Sequence, residues 1–167
     1  MQTITFKGSP LHLVGALPSV GQRAPDFTLL ANDLTSYGLK DFAGKTLVIA
    51  TVPSLDTPVC DTEIRRFNKD AAALSDKLRL LAVSCDLPFA QARWCGAAGI
   101  SAVQSLSDHR DASFGQNYGV LIKELRLLAR AIFIIDAHSV VRYVQLVPEM
   151  TSEPDYDAAL NAAKAAV

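Results

Sequence analysis

Leu47-Val48-Ile49-Ala50-Thr51-Val52-Pro53-Ser54-Leu55-Asp56-Thr57-Pro58-Val59-Cys60 is the stretch on which the fold of this chain turns. Leu47 to Val52 is a nearly continuous apolar, β-branched run, the pattern of a central strand buried on both faces. Pro53 ends it. Thr57 is a good helix N-cap and Pro58 suits the first helical position, so the spacing predicts a helix from Pro58 to about Leu74. Val59, Ile64, Phe67, Ala71 and Leu74 approximate one apolar face, with Glu63, Arg65, Arg66 and Lys69 largely elsewhere. Cys60 is then the third helical residue, where free N–H groups and the positive end of the helix dipole favour an anion. Such a setting favours the thiolate, the reactive form of cysteine. Ligand sites in open α/β sheets lie at this carboxyl end of the strands. On this feature alone, a small buried hydrophobe is the commoner role for a cysteine near a helix start.

Working outward, Leu78 to Ser84 reads as the next buried strand and Phe89 to Ala98 as a helix ending at Gly99. Ala102 to Leu106 reads as a short strand and Ala112 to Tyr118 as a short helix. Ala131 to Ile135 and Val140 to Val147 form a hairpin around Asp136-Ala137-His138-Ser139. Ser152-Glu153-Pro154-Asp155 has the cap, proline and acidic first turn of a helix start, and Tyr156 to Ala166 is that helix. Upstream, Thr3 to Phe6 and Leu11 to Val14 flank the turn cluster Lys7-Gly8-Ser9-Pro10, an N-terminal hairpin. Pro18 to Pro25 is a connection, Asp26 to Leu30 and Tyr37 to Leu39 are short strands, and Asp41 to Lys45 is a turn. This order gives an α/β fold, a central mixed sheet flanked by helices.

The 167 residues suit a single domain, 1–167, with half the residues apolar and a fifth charged. A formal net charge of −1 carries no footprint for nucleic acid. No stretch approaches the roughly 20 apolar residues of a membrane span. The N-terminus alternates like a strand and lacks the features of a signal peptide, so a cytoplasmic protein is expected. The three cysteines, Cys60, Cys85 and Cys95, contain no C-x-x-C, which speaks against a disulfide framework or zinc site. The three histidines, His12, His109 and His138, share no metal-ligand spacing.

Pro53, Thr57 and Cys60 make the pattern P-x-x-x-T-x-x-C, which closely resembles the peroxiredoxin superfamily. Pro-Ser-x-Asp-Thr-x-Val-Cys is similar, more narrowly, to the thiol peroxidase subfamily of bacteria, the atypical two-cysteine type. Asp86-Leu87-Pro88-Phe89-Ala90-Gln91 followed by Arg93-Trp94-Cys95-Gly96 resembles the resolving segment of that subfamily. Leu128-Ala129-Arg130-Ala131 resembles its arginine segment, and Thr151 to Tyr156 its last helix start. Pro58 stands where glycine or a similar residue is usual and Trp94 where phenylalanine is usual, and Cys85 has no place in the pattern.

The resemblance implies a thioredoxin-like fold and a peroxidase that uses no cofactor. It implies Cys60 as the peroxidatic nucleophile, attacking a hydroperoxide, and Cys95 as the resolving cysteine that closes a Cys60–Cys95 disulfide. Thr57 is expected to hydrogen-bond the peroxide or thiolate, Arg130 to stabilise the thiolate and the charge developing on the peroxide oxygens, and Pro53 to shield the pocket from water. Hydrogen peroxide and organic hydroperoxides are the expected substrates, thioredoxin the expected reductant and a homodimer the expected assembly. The chemistry agrees: Arg is cationic at every relevant pH and offers donors in a planar fork, and a sulfenic acid condenses with a nearby thiol.

Two other functions share these features. A thioredoxin-like disulfide oxidoreductase would carry C-x-x-C at the helix start, whereas Cys60 is followed by Asp61-Thr62-Glu63. A redox sensor or chaperone could use the same thiolate, and continuous turnover separates it from a peroxidase. Cys85 reads as a structural cysteine at the end of a strand. Asp86, Asp108 and Asp111 read as loop and cap residues. Phe114 to Leu128 reads as an apolar stretch that packs on the core or helps to form a dimer.

Overall fold

The computed structural model describes residues 1–71 and 73–167, the side chain of Ala71 excepted. Strand β5 (Thr46–Thr51) is buried along its whole length and lies mid-sheet. It runs parallel to β6 (Leu78–Ser84), which runs parallel to β7 (Val103–Ser107). On the other side β10 (Ala131–Ile135) pairs antiparallel with β5, and β11 (Val141–Leu146) with β10. Two short strands, β3 (Leu29–Leu30) and β4 (Ser36–Tyr37), extend the far edge and complete a seven-stranded mixed sheet. This is the expected α/β, thioredoxin-like architecture.

The period of two along β5 distributes its side chains. Val48 and Ala50 face α1 (Pro58–Ala71) and α4 (Tyr156–Ala165) through Ile64, Phe67, Ala159 and Ala163. Leu47 and Ile49 face the opposite layer, where Phe114 and Tyr118 stack with ring centroids 4.0 Å apart. That layer contains α3 (Ser113–Asn117) and a second sheet, formed by the N-terminal hairpin β1 (Thr3–Phe6) and β2 (Ser9–Val14) with β8 (Leu121–Ile122) and β9 (Leu127–Leu128). Helix α2 (Pro88–Ala98) sits against β7 and ends at Gly99 in the left-handed conformation. No helix among the described residues is long and apolar enough to cross a membrane.

Several boundaries differ from expectation. The strand expected over Asp26 to Leu30 shrinks to two residues. The N–H of Phe27 donates to Asp26 Oδ1 and that of Thr28 to Ser113 Oγ, which leaves neither for a ladder. Leu39 lies outside β4, and Leu39–Phe42 forms a 3-10 turn that takes in the start of the turn expected from Asp41. Ser9 and Pro10 belong to β2, because Lys7 and Gly8 both take positive φ and close the hairpin in two residues. Asp155, not Ser152, caps α4, accepting from Ala158 N at 3.0 Å. The expected contact of Ala71 and the helical course through Ala72 lie outside the described residues; Ala73 and Leu74 lie in a turn.

Candidate active site

Pro53 to Thr57 leave the carboxyl end of β5 as a tight loop, held from below by one carboxylate. Asp86, two residues past β6, accepts from Ser54 Oγ at 2.7 Å, Leu55 N at 2.8 Å and Ser84 Oγ at 2.7 Å. Thr57 then caps α1: its Oγ1 accepts from Cys60 N at 3.4 Å, while its own hydroxyl donates to Ser54 O at 3.2 Å. Cys60 is therefore the third residue of α1, and its side chain is fully buried.

Arg130 reaches Cys60 from the start of β10. The residue is 1% exposed and its Nη2 lies 3.5 Å from Cys60 Sγ. The same Nη2 donates to Met150 O at 2.8 Å, and Nη1 donates to Glu63 Oε2 at 2.5 Å. Glu63 is a correction to the sequence reading, which put it off the apolar face: it is wholly buried. Cys60, Glu63, Ile64 and Phe67 follow helical spacing on one stripe, a signal present in the sequence but masked by the charge. Burial pushes the Glu63 carboxyl up to about 7 against the pull of Arg130, and its Oε1 has no partner among the described residues. Burial works against the charge on Arg130 as well. There Glu63 and the Cys60 sulfur outweigh it and hold the guanidinium above its ordinary value.

A cavity of about 390 Å³ opens beside this group. Phe6, Pro53, Pro58, Leu125, Leu127 and Met150 supply apolar wall, and Thr57 and Arg130 line it too. The structure thus gathers Pro53, Thr57 and Arg130 around one space, and Cys60 lies buried behind that lining, against Thr57 and Arg130.

Cys95 is not in that group. It lies in the last turn of α2, its Sγ 3.5 Å from Ser105 Oγ, on a separate cavity of about 290 Å³ shared with Asn32. Its neighbour Trp94 connects the two helices instead: the indole Nε1 donates to Asp61 Oδ1 at 2.9 Å, and Arg65 lies over the ring. All three cysteines are free thiols. Burial, with Asp108 adding, pushes the Cys85 thiol up to about 12, which makes it a poor nucleophile. Asp108 caps α3 by accepting from Phe114 N and Gly115 N, and burial pushes it up to about 6. Among the described residues no group of three or more His, Cys, Asp or Glu is placed to hold a metal ion.

A sheet of this topology, with a buried cysteine at the start of the helix after its central strand and a buried arginine at the adjoining strand end, defines a thiol-redox protein of the thioredoxin-like class. Residues 19–160 match the redoxin family. The chain is 56% identical over its full length to the full-length thiol peroxidase of Halalkalibacterium halodurans. It is 54% identical to that of Bacillus subtilis, over all of this chain and 99% of the relative. A peroxiredoxin-like protein from Aquifex aeolicus superposes with a TM-score of 0.93 at 44% identity, covering 100% of this chain and 98% of that one. The chain belongs to the redoxin family, in its peroxiredoxin branch of thiol peroxidases.

Proposed function

We propose that this peroxidase reduces hydrogen peroxide and organic hydroperoxides at Cys60 and resolves the product through Cys95, in a reducing cytoplasm. The observation that carries the reading is the Cys60 sulfur at the N-terminus of α1, 3.5 Å from a buried arginine and beside an apolar cavity. The thiolate sulfur attacks the terminal oxygen of the hydroperoxide. The O–O bond breaks, the leaving oxygen departs with the electron pair and takes up a proton as an alcohol or water, and Cys60 becomes a sulfenic acid. Negative charge moves from sulfur to oxygen, so donors fixed in advance lower the barrier. Arg130 Nη2 is aimed at the sulfur, and its Nε–H, unpartnered among the described residues, is free to serve an incoming oxygen. Thr57 turns its hydroxyl from Ser54 O to the peroxide, and Pro53 keeps water from the sulfur. The apolar wall favours organic hydroperoxides, since each buried CH₂ is worth about 0.8 kcal/mol.

In the second step the Cys95 sulfur attacks the Cys60 sulfenic sulfur and expels water, which leaves a disulfide. The two sulfurs face different partners, so the first turn of α1, α2 or both move for this bond to form. A dithiol protein such as thioredoxin supplies two electrons to restore both thiols, and no cofactor is needed. The N-terminal hairpin and the 121–128 segment flank the cavity, and a second copy of the chain completes the assembly as a homodimer.

Trp94, beside Cys95, is the only tryptophan and reports both steps. Reduced protein is mixed with cumene hydroperoxide in stopped flow, with Cys60→Ser and Cys95→Ser in parallel. The fast fluorescence change is expected to vanish in Cys60→Ser, and only the later phase in Cys95→Ser. A normal fast phase in Cys60→Ser removes the nucleophile from this account. Continuous peroxide consumption with a thioredoxin system separates a peroxidase cycle from a sensor that reacts once.

A further inference from the structure

Arg130 is held by two acceptors, and they differ in how they are anchored. Glu63 is fixed in α1. The other acceptor, Met150 O, belongs to a strap over residues 147–151 that follows β11 and forms no strand or helix of its own. The strap is fastened to the N-terminal hairpin. Thr5 N donates to Pro148 O at 2.7 Å and Met150 N to Thr5 O at 2.8 Å. Between these two bonds sits Glu149, whose carboxylate accepts five hydrogen bonds. Its Oε2 takes Thr5 Oγ1 at 2.6 Å and Gly8 N at 3.3 Å; its Oε1 takes Lys7 N at 2.9 Å, Thr151 N at 3.2 Å and Thr151 Oγ1 at 2.9 Å. One side chain thus joins the strap to both residues of the hairpin turn.

We propose that Glu149 is a positioning residue for the peroxidase reaction, a buckle between hairpin and strap that places the Met150 carbonyl and through it aims Arg130 Nη2 at Cys60. The inference rests on the reading of Arg130 as the group that stabilises the Cys60 thiolate. The physical reason lies in the shared nitrogen. Nη2 has two hydrogens; one goes to Met150 O, which fixes the direction of the other toward Sγ. A guanidinium is planar and rigid, so a shift of the carbonyl rotates the whole fork. Misplacement of a reacting group by about 1 Å can cost about 10²-fold in rate. Charge-assisted bonds suit this task, being roughly twice as strong as neutral ones. The hydroxyl of Thr5 and the N–H of Lys7 hold the Glu149 carboxyl down at about 2, so the buckle stays charged throughout the working range of pH. The hairpin is then part of the catalytic apparatus, although its own residues touch no reacting atom.

Phe6, Lys7, Met150 and Thr151 also line the cavity, so a wall role must be told apart from an aiming role. The experiment compares wild type, Glu149→Ala, Glu149→Gln and Thr5→Val for kcat/KM with hydrogen peroxide and with cumene hydroperoxide. In a Cys85→Ser/Cys95→Ser background the same variants give the pH profile of Cys60 alkylation by iodoacetamide. The aiming role predicts that kcat/KM of Glu149→Ala falls about tenfold for both peroxides, less than the 10²- to 10³-fold loss of a donor itself. It also predicts that the midpoint of the alkylation profile moves to higher pH. Glu149→Gln, which keeps one accepting oxygen, falls between, and Thr5→Val, which removes the hydroxyl shared between Glu149 Oε2 at 2.6 Å and Pro148 O at 3.3 Å, gives a smaller change in the same direction even if Glu149→Ala folds poorly. A fall confined to cumene hydroperoxide with an unmoved profile overturns the proposal in favour of a wall. Arg130→Lys is the control. If it moves the profile and the Glu149 and Thr5 variants do not, only the buckle fails; if it does not, the reading of Arg130 fails as well.

Discussion

Glu63 is the residue whose burial is least expected and whose titration is most consequential. Its carboxyl lies out of water with one oxygen unpaired, and the fold raises it from an ordinary 4.5 to about 7. Between those values the folded chain binds more protons than the unfolded one, so its contribution to stability is full at low pH and is lost as pH rises through about 7. Glu63→Gln is expected to flatten this slope. Urea unfolding at pH 4.5 and 7 checks it: the wild type should lose stability between the two relative to the variant, and equal differences would contradict the assignment. Glu63→Gln also replaces the charged acceptor of Arg130 Nη1 with a neutral amide oxygen and weakens one of its two anchors, so peroxidase kcat/KM should fall by up to about an order of magnitude. Steady-state assay with hydrogen peroxide measures that loss.

At the scale of elements, the two helices that carry Cys60 and Cys95 are pinned to each other. Trp94 of α2 donates to Asp61 of α1, one residue from each cysteine, and Arg65 bridges Asp61 and the carbonyl of Ala98. Trp94→Phe keeps an aromatic ring but removes the indole N–H. Loss of one hydrogen bond of about 1 kcal/mol should speed helix separation, and with it formation of the proposed Cys60–Cys95 disulfide, about fivefold. Quenched-flow alkylation with mass analysis measures that rate, because this variant has no tryptophan to follow. An unchanged rate would mean that separation of α1 and α2 does not limit resolution. In the proposed Cys60–Cys95 disulfide form, amide exchange is expected to quicken in the first turn of α1 and through α2, and not in β5 or β10.

For the whole molecule, the four-stranded N-terminal sheet must lie close on α3 for the hairpin to reach the strap. Gly119 sets that approach: it takes φ +68°, and a Cβ there would stand 2.3 Å from the carbonyl carbon of Ala16. Gly119→Ala is expected to destabilise the fold by at least about 1 kcal/mol, from backbone strain with the clash added. Thermal unfolding followed by circular dichroism tests this. An unchanged midpoint would show that the hairpin layer yields without cost.

The strand–loop–helix unit around Cys60 was legible in the sequence because its signals are local: a β-branched run, a cap, a proline at the first helical position and a cysteine two residues on. The order of the main strands and helices was legible for the same reason, since apolar periodicity is written along the chain. Two-residue strands such as β8 and β9 show no alternation to read, and β3 was shortened by side-chain bonds from Asp26 and Ser113 that no pattern announces. Arg130 was legible through a resemblance but not through physics, as an arginine before a strand is ordinarily at the surface. Only the tertiary structure decided that Glu63 is buried beside it, that Asp86 anchors the Cys60 loop, and that Glu149 joins chain segments about 140 residues apart. Each of these depends on a carboxylate meeting donors from distant parts of the chain, and a hydrogen bond, unlike helical or strand periodicity, leaves no trace in local sequence.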